Sequence, residues 1–201
     1  MQNAEMFYIL YSTKNMPRMK KTIIGAIVGA VIIFMVQFLS WTVLNLHYKS
    51  QAYTPKQDSI LAFLSTQDLK SGQYFMPSLP PGSSMDDQNK LTNANKGKPW
   101  AVVAYHQRLN VEMGLDMAKA FAVDLLVAWL LCWLLIRLNA PSFTTIFLAS
   151  LGVGLIIFLN SPYTYHIWYE TPGQKGYLIE SVAEFGFTGL WLGWWLRRKS
   201  Q

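Results

Sequence analysis

Three carboxylates and one amide sit inside stretches that read as membrane-crossing, and they are the side chains best placed to do chemistry. Asp124 lies in the apolar run 118–138, Glu180 and Glu184 in 178–196, and Gln37 in 22–46. A carboxylate at the centre of a spanning helix costs roughly 3 kcal/mol on insertion scales, so such groups mark ion or proton pathways unless they only fasten helices together. At about 1.5 Å per residue, Asp124 and Glu184 each lie roughly 9 Å, and Gln37 roughly 13 Å, below the outer ends of their helices. The four residues are therefore expected to form one intramembrane polar layer in the outer half. Two desolvated carboxylates at one level suit proton exchange or cation binding. The alternative is a closed layer, in which Asp124 bonds Gln37, Ser40 or Thr42 and Glu184 reaches for the surface.

Other reactive residue types lead to less. His47, His106 and His166 fall at or beyond the outer ends of the spans, which excludes a haem held between helices by two histidines. They could meet Asp116 or Glu170 at a zinc ion, but no H-x-x-x-H or H-E-x-x-H spacing supports this, and no metal or cofactor is expected. Met113 and Met117, one turn apart, read as packing residues. Tyr163, Tyr165, Trp168 and Tyr169 read as an interfacial aromatic belt. The single Cys132 excludes an internal disulfide and C-x-x-C redox chemistry. Phosphate loops, nucleophile elbows and kinase signatures are missing, so the chain reads as non-enzymatic. An outward-facing enzyme built on His106, His166, Glu170 and Glu180 would need a metal.

The elements that must position the polar layer follow from composition. The chain has 201 residues, 52% of them hydrophobic and only 14% charged. That balance suits a small polytopic membrane protein. Four runs, 22–46, 118–138, 144–160 and 178–196, approach the length of a spanning helix. The first is too long for a signal peptide, and Phe38-Leu39-Ser40-Trp41 places bulk where a peptidase needs small residues. The net charge of +6 is distributed in a way that points to a bilayer and away from nucleic acid. Lys14, Arg18, Lys20 and Lys21 precede the first run, Arg137 ends the second, and Arg197, Arg198 and Lys199 follow the fourth, whereas 161–177 holds only Lys175. Positive residues stay inside, so the segment 1–21 and the tail 197–201 are expected in the cytoplasm, and 47–117 and 161–177 outside. Residues 1–18 read as an upstream extension before Met19-Lys20-Lys21.

The large outer segment 47–117 has its own local signals. Thr54-Pro55 suits a helix start, with Ile60, Leu61, Phe63 and Leu64 forming an apolar face that runs to about Ser71-Gly72. Gln73 to Met76 and Trp100 to His106 read as two strands that could pair. Between them, Ser84 and Asp87 resemble a capping box opening a polar helix that lasts to about Asn95. The expectation is an all-α transmembrane four-helix bundle with a small α+β periplasmic cap between the first and second spans. About 70 residues without a disulfide make a marginal domain.

Small-residue faces should hold the spans together. Ala26, Gly29, Ala30, Ile33, Gln37 and Ser40 share one side of the first, where Gly25 and Gly29 also form G-x-x-x-G. Ala120, Asp124, Ala128 and Leu131 share a side of the second, with Trp129 and Trp133 opposite. Ser150, Gly154 and Ser161 mark the third. The fourth has Gly186, Gly189 and Gly193 on one side and Glu180, Glu184, Thr188, Trp191 and Trp195 on the other. Both sides of that helix avoid lipid, so it is either sandwiched within the bundle or bound to another subunit. The tryptophans at its end, beside Arg197 and Arg198, read as the inner aromatic belt.

The opening Lys20-Lys21-Thr22-Ile23-Ile24-Gly25, then Tyr74-Phe75-Met76-Pro77, Gly97-Lys98-Pro99-Trp100 and Tyr105-His106, resemble a group of uncharacterised four-span inner-membrane proteins of Bacteroidota-like bacteria. The likeness spans about 19–198 and implies the topology, with no activity to carry over. From the residues themselves, the expected function is that of an accessory or scaffold subunit meeting a membrane-protein partner or a second copy in the bilayer. The competing function is a small proton- or cation-coupled transporter using Asp124 and Glu184.

Overall fold

The computed structural model describes the backbone of residues 2–197 and the side chains from Met19 onward. The side chains of Lys14 and Arg18, together with Arg198 and Lys199, lie outside the described residues. The chain forms two compact units, one made of Met1–Ala52 with Glu112–Gln201, the other of Tyr53–Val111.

The first unit is helical. Its elements are α1 (Gln2–Phe38), running into a π-helical turn at Leu39–Val43, then α4 (Met113–Leu135), α5 (Phe143–Phe158), a second π-helical turn at Leu159–Tyr163, α6 (Thr164–Tyr169) and α7 (Gln174–Trp195). Three helical stretches are long and apolar enough to cross a membrane: Met19–Val43, Met113–Leu135 and Phe143–Tyr169. By length and composition these stretches suggest a membrane protein. The third stretch reaches past the expected end at 160, because the π turn absorbs Pro162. The proline ring cannot donate a helical N–H, and the helix resumes beyond it as α6. α7 is 22 residues long. That length corresponds to about 33 Å of helix. Two glutamates and its tryptophans lower its hydropathy, and it is not among the three apolar stretches.

α1 packs against α4 and α7, and α5 packs against α7, so the row runs α4–α1–α7–α5, with a slighter contact between α4 and α5. α7 is sandwiched, and its two unlike sides have two different neighbours. A methyl group built on Gly189 would lie 2.8 Å from Ser150 Cβ, and one on Gly193 2.8 Å from Phe143 Cδ2, both on α5. Gly154 of α5 is as tightly covered, at 2.8 Å from Phe185 Cβ. Gly186 has more room, with Leu151 Cδ2 at 3.6 Å. On the opposite side of the row, Gly25 faces Cys132 Sγ and Leu192 Cδ2, both at 3.2 Å, and Gly29 faces Ala128 Cβ at 3.2 Å. Around these contacts Ala26, Ala30, Ile33, Ala128, Leu131, Cys132, Leu135, Ile146, Phe185 and Leu192 form the buried core. Van der Waals packing through small residues is what holds helices together where lipid is as apolar as leucine. Two expected contact residues, Ala120 and Ser161, are exposed, since each lies beyond the end of its helix's buried stripe; Met113 and Met117 are exposed as well.

In the second unit, α2 (Gln57–Ser65) is shorter than expected. Its first turn begins after Pro55, where Thr54 Oγ1 accepts from the Lys56 N–H, and it ends before Thr66. β1 (Gly72–Met76) and β2 (Ala101–Tyr105) pair antiparallel with Tyr74 opposite Val103. α3 (Met85–Asn95) starts at Ser84, whose hydroxyl accepts from the Asp87 N–H, as a capping box requires. Among the described residues, Tyr105 is the one buried hydrophobic side chain of this unit, which agrees with a domain too small to build a core.

Candidate functional site, a buried carboxylate cluster between α1, α4 and α7

The polar layer is assembled where α1 loses its regular winding. The π turn at Leu39–Val43 directs Ser40 inward, and the chain then reverses at Asn45, which adopts a left-handed φ of 47°. Asparagine tolerates that conformation better than most residues. The reversal tucks His47 back against α7 until it is only 2% exposed. The Trp41 ring stacks on the imidazole at 4.1 Å and 13°, and Tyr177 covers another side at 4.5 Å. Gly176 makes room for this close approach, since a methyl group there would fall 2.4 Å from the Leu46 carbonyl oxygen.

His47 Nε2 lies 2.6 Å from Glu180 Oε2. Ser40 donates to the same Glu180 oxygen and also points its hydroxyl at the Gln37 carbonyl, 3.0 Å away. One turn of α1 earlier in the chain, the Gln37 side chain donates from Nε2 to Asp124 Oδ1 across the α1–α4 interface at 3.1 Å. The same amide lies within reach of Glu184, whose carboxyl also feels Glu180 and Asp124. The result is a polar file of two hydrogen-bonded groups, His47 with Glu180 and Ser40, and Gln37 with Asp124, with Glu184 buried beside them.

Ser40, His47, Asp124 and Glu184 are buried, and Gln37 and Glu180 are half-buried. Asp124 is 4% and Glu184 7% exposed. Glu184 therefore does not reach for the surface, because α1 covers the side of α7 on which it stands. Asp124 Oδ2, His47 Nδ1 and Thr188 Oγ1 are buried and have no hydrogen-bond partner among the described residues. Among the described residues, His47 is the basic side chain that pairs with these carboxylates. Both donors converge on one oxygen of Glu180, so Ser40 is not activated by His47, and a nucleophile of the serine-hydrolase kind is not assembled here.

All four residues of the expected layer, Gln37, Asp124, Glu180 and Glu184, come together. Thr42 instead bonds back to the Phe38 carbonyl. His47 belongs to the cluster although its sequence position places it beyond the span; the one local signal is the turn-prone Asn45 just before it. His106 lies in the other unit, His166 Nδ1 contacts the Thr171 carbonyl at 2.8 Å, and Asp116 pairs with Lys119 at 3.1 Å. Among the described residues, no group of three His, Cys, Asp or Glu side chains is placed to hold a metal ion. No family model matches this chain, and no curated protein or solved structure matches it either.

Proposed function

We propose that this is a four-span bacterial inner-membrane protein, with both termini cytoplasmic and the Tyr53–Val111 unit in the periplasm, that moves protons, alone or coupled to a solute, through the His47–Glu180–Glu184–Asp124 file. The observation that carries the reading is a pair of buried carboxylates, Asp124 and Glu184, with the half-buried Glu180 beside them and, among the described residues, one histidine as their basic partner. Charge compensation then falls to protons or a small cation, the usual reason for ionisable groups at such depth. The polar side of α7 is covered by α1 and its glycine side by α5, which supports a fourth span despite the low hydropathy. The likeness to four-span bacterial proteins belongs with this reading. The test is flux into proteoliposomes containing a pH-sensitive dye under a potassium-diffusion potential. Protein-dependent acidification, with or without a panel of small solutes added, that falls at least tenfold in Glu184→Gln supports the proposal; a rate equal to empty liposomes under every condition overturns it.

A second reading is a non-enzymatic accessory or scaffold subunit. The two unlike sides of α7 no longer motivate it, since both are filled from within the chain. Its remaining support is α4, which has α1 as its main neighbour and leaves Trp129 and Trp133 about two-fifths exposed on the outer side. Purification in mild detergent with partner proteins retained would favour this reading, and a small species of a single chain would count against it.

A further inference from the structure

At the end of the helical unit where the chain leaves α1 and enters α7, two lysines from distant parts of the sequence line one cleft of about 480 Å³. Lys49 follows His47 on the segment after α1, and Lys175 lies in the first turn of α7. Both are exposed, and neither forms an ion pair with a described residue. No carboxylate lines the cleft. Its other walls are largely apolar, with Leu44, Leu46 and Ile179 extending away from the lysines, Leu44 and Ile179 more than half exposed, on a surface that faces lipid in the membrane arrangement proposed above. The arrangement puts two ammonium groups with no facing carboxylate at the rim of an apolar groove, Lys49 lying over the Tyr48 ring at 5.8 Å.

From this we infer that the cleft binds an anionic phospholipid, its phosphate held between Lys49 and Lys175 and an acyl chain lying along Leu44, Leu46 and Ile179. Charge complementarity selects the ligand. Lysines near a bilayer surface each contribute measurably to binding anionic headgroups, whereas a zwitterionic lipid offers its own cation to repel them. An interfacial lysine that merely snorkels needs no second lysine and no groove. The back wall also has a consequence for the polar file. Leu46 and Gly176 are in backbone contact there, and they flank His47 and its cover Tyr177. A lipid seated in the cleft braces the segment that holds His47 against Glu180. This inference concerns a lipid site and does not rest on proton movement by the file.

The experiment uses the full chain in nanodiscs and in lipid-free detergent. Native mass spectrometry should show phosphatidylglycerol retained in preference to phosphatidylcholine, and nanodiscs of phosphatidylglycerol should raise the unfolding temperature above that in phosphatidylcholine. Each of Lys49→Gln and Lys175→Gln should weaken phosphatidylglycerol retention about fivefold, a size set by the contribution of one lysine near an anionic surface. Lys90→Gln, in the other unit beside Asp86 and Asp87, should change nothing. Inorganic phosphate at millimolar concentration should not displace the lipid. Equal retention of both lipids, or equal loss from all three variants, overturns the inference. Displacement by inorganic phosphate would show a site for free phosphate and overturn the lipid assignment.

Discussion

The side-chain amide of Gln37 on α1 donates to Asp124 Oδ1 on α4 across 3.1 Å, inside a stretch of both helices that is otherwise apolar. One oxygen of the carboxyl is thereby engaged and the other, Oδ2, is left buried without a partner among the described residues. The bond fastens the two helices and leaves half of the carboxyl free for a proton, so fastening and exchange are compatible at one residue.

Replacing Gln37 by Leu should destabilise the α1–α4 contact by about 0.6–1.7 kcal/mol, the range measured for hydrogen bonds between membrane helices. Asp124→Asn should cost less, because an asparagine can still accept from Gln37 through its carbonyl. Thermal unfolding in nanodiscs ranks the two variants. A Gln37→Leu protein as stable as the parent would mean that the bond does not hold the interface.

His47 and Glu180 should behave as a coupled pair. His47→Ala removes a ring packed between Trp41 and Tyr177 and leaves Glu180 with Ser40 alone, whereas Glu180→Gln keeps an acceptor in place. Residues in direct contact show interaction energies of about 0.5–3 kcal/mol in double-mutant cycles. A cycle of the two single variants and the double variant should fall in that range. Additive effects would show that the 2.6 Å contact contributes nothing beyond packing.

Glycines on the same helix should differ in tolerance. Gly189→Val drives a side chain into Ser150, against which even a methyl group would stand at 2.8 Å. Overpacking of this kind costs about 1–3 kcal/mol. Gly186→Ala meets Leu151 at 3.6 Å, an ordinary contact, and also raises helix propensity. The first variant should unfold at lower temperature than the parent and the second should not. Reversed order would mean that α5 does not pack on the glycine side of α7.

Much of this arrangement was legible in the sequence because the membrane imposes few choices. The face Ala26, Gly29, Ala30, Ile33, Gln37 and Ser40 follows from helical spacing alone, and with it the meeting of Gln37 with Asp124. The cap at Ser84 is local, set by residues within a few positions, and the strand character of β1 and β2 is equally local although their pairing reaches across α3. Two features were not legible. The π turns at Leu39–Val43 and Leu159–Tyr163 depend on which backbone groups tertiary packing leaves to be satisfied, so a regular period of 3.6 cannot announce them. The first of them, with the reversal at Asn45, carries His47 back to Glu180, a contact between residues 133 positions apart. Equally, sequence left α7 with two competing polar and small faces. Only the neighbours resolve that conflict, α1 on the carboxylate side and α5 on the glycine side.

Cys132 supplies a direct probe of that packing. Its thiol is the single one in the chain, is wholly buried, and lies where a methyl group on Gly25 would come within 3.2 Å. A thiol inside the helix row reacts only when the row opens, whereas one facing lipid or detergent reacts while the protein is folded. Heating the detergent-solubilised chain with a maleimide that fluoresces on reaction should therefore give one sigmoidal rise that coincides with loss of helical circular dichroism. Gly25→Val, which presses on Cys132, Leu192 and Trp195 together, should move that rise to lower temperature. Labelling that is complete well below the unfolding transition would show that α4 does not turn this face toward α1, and the Gln37–Asp124 contact two turns away would fall with it.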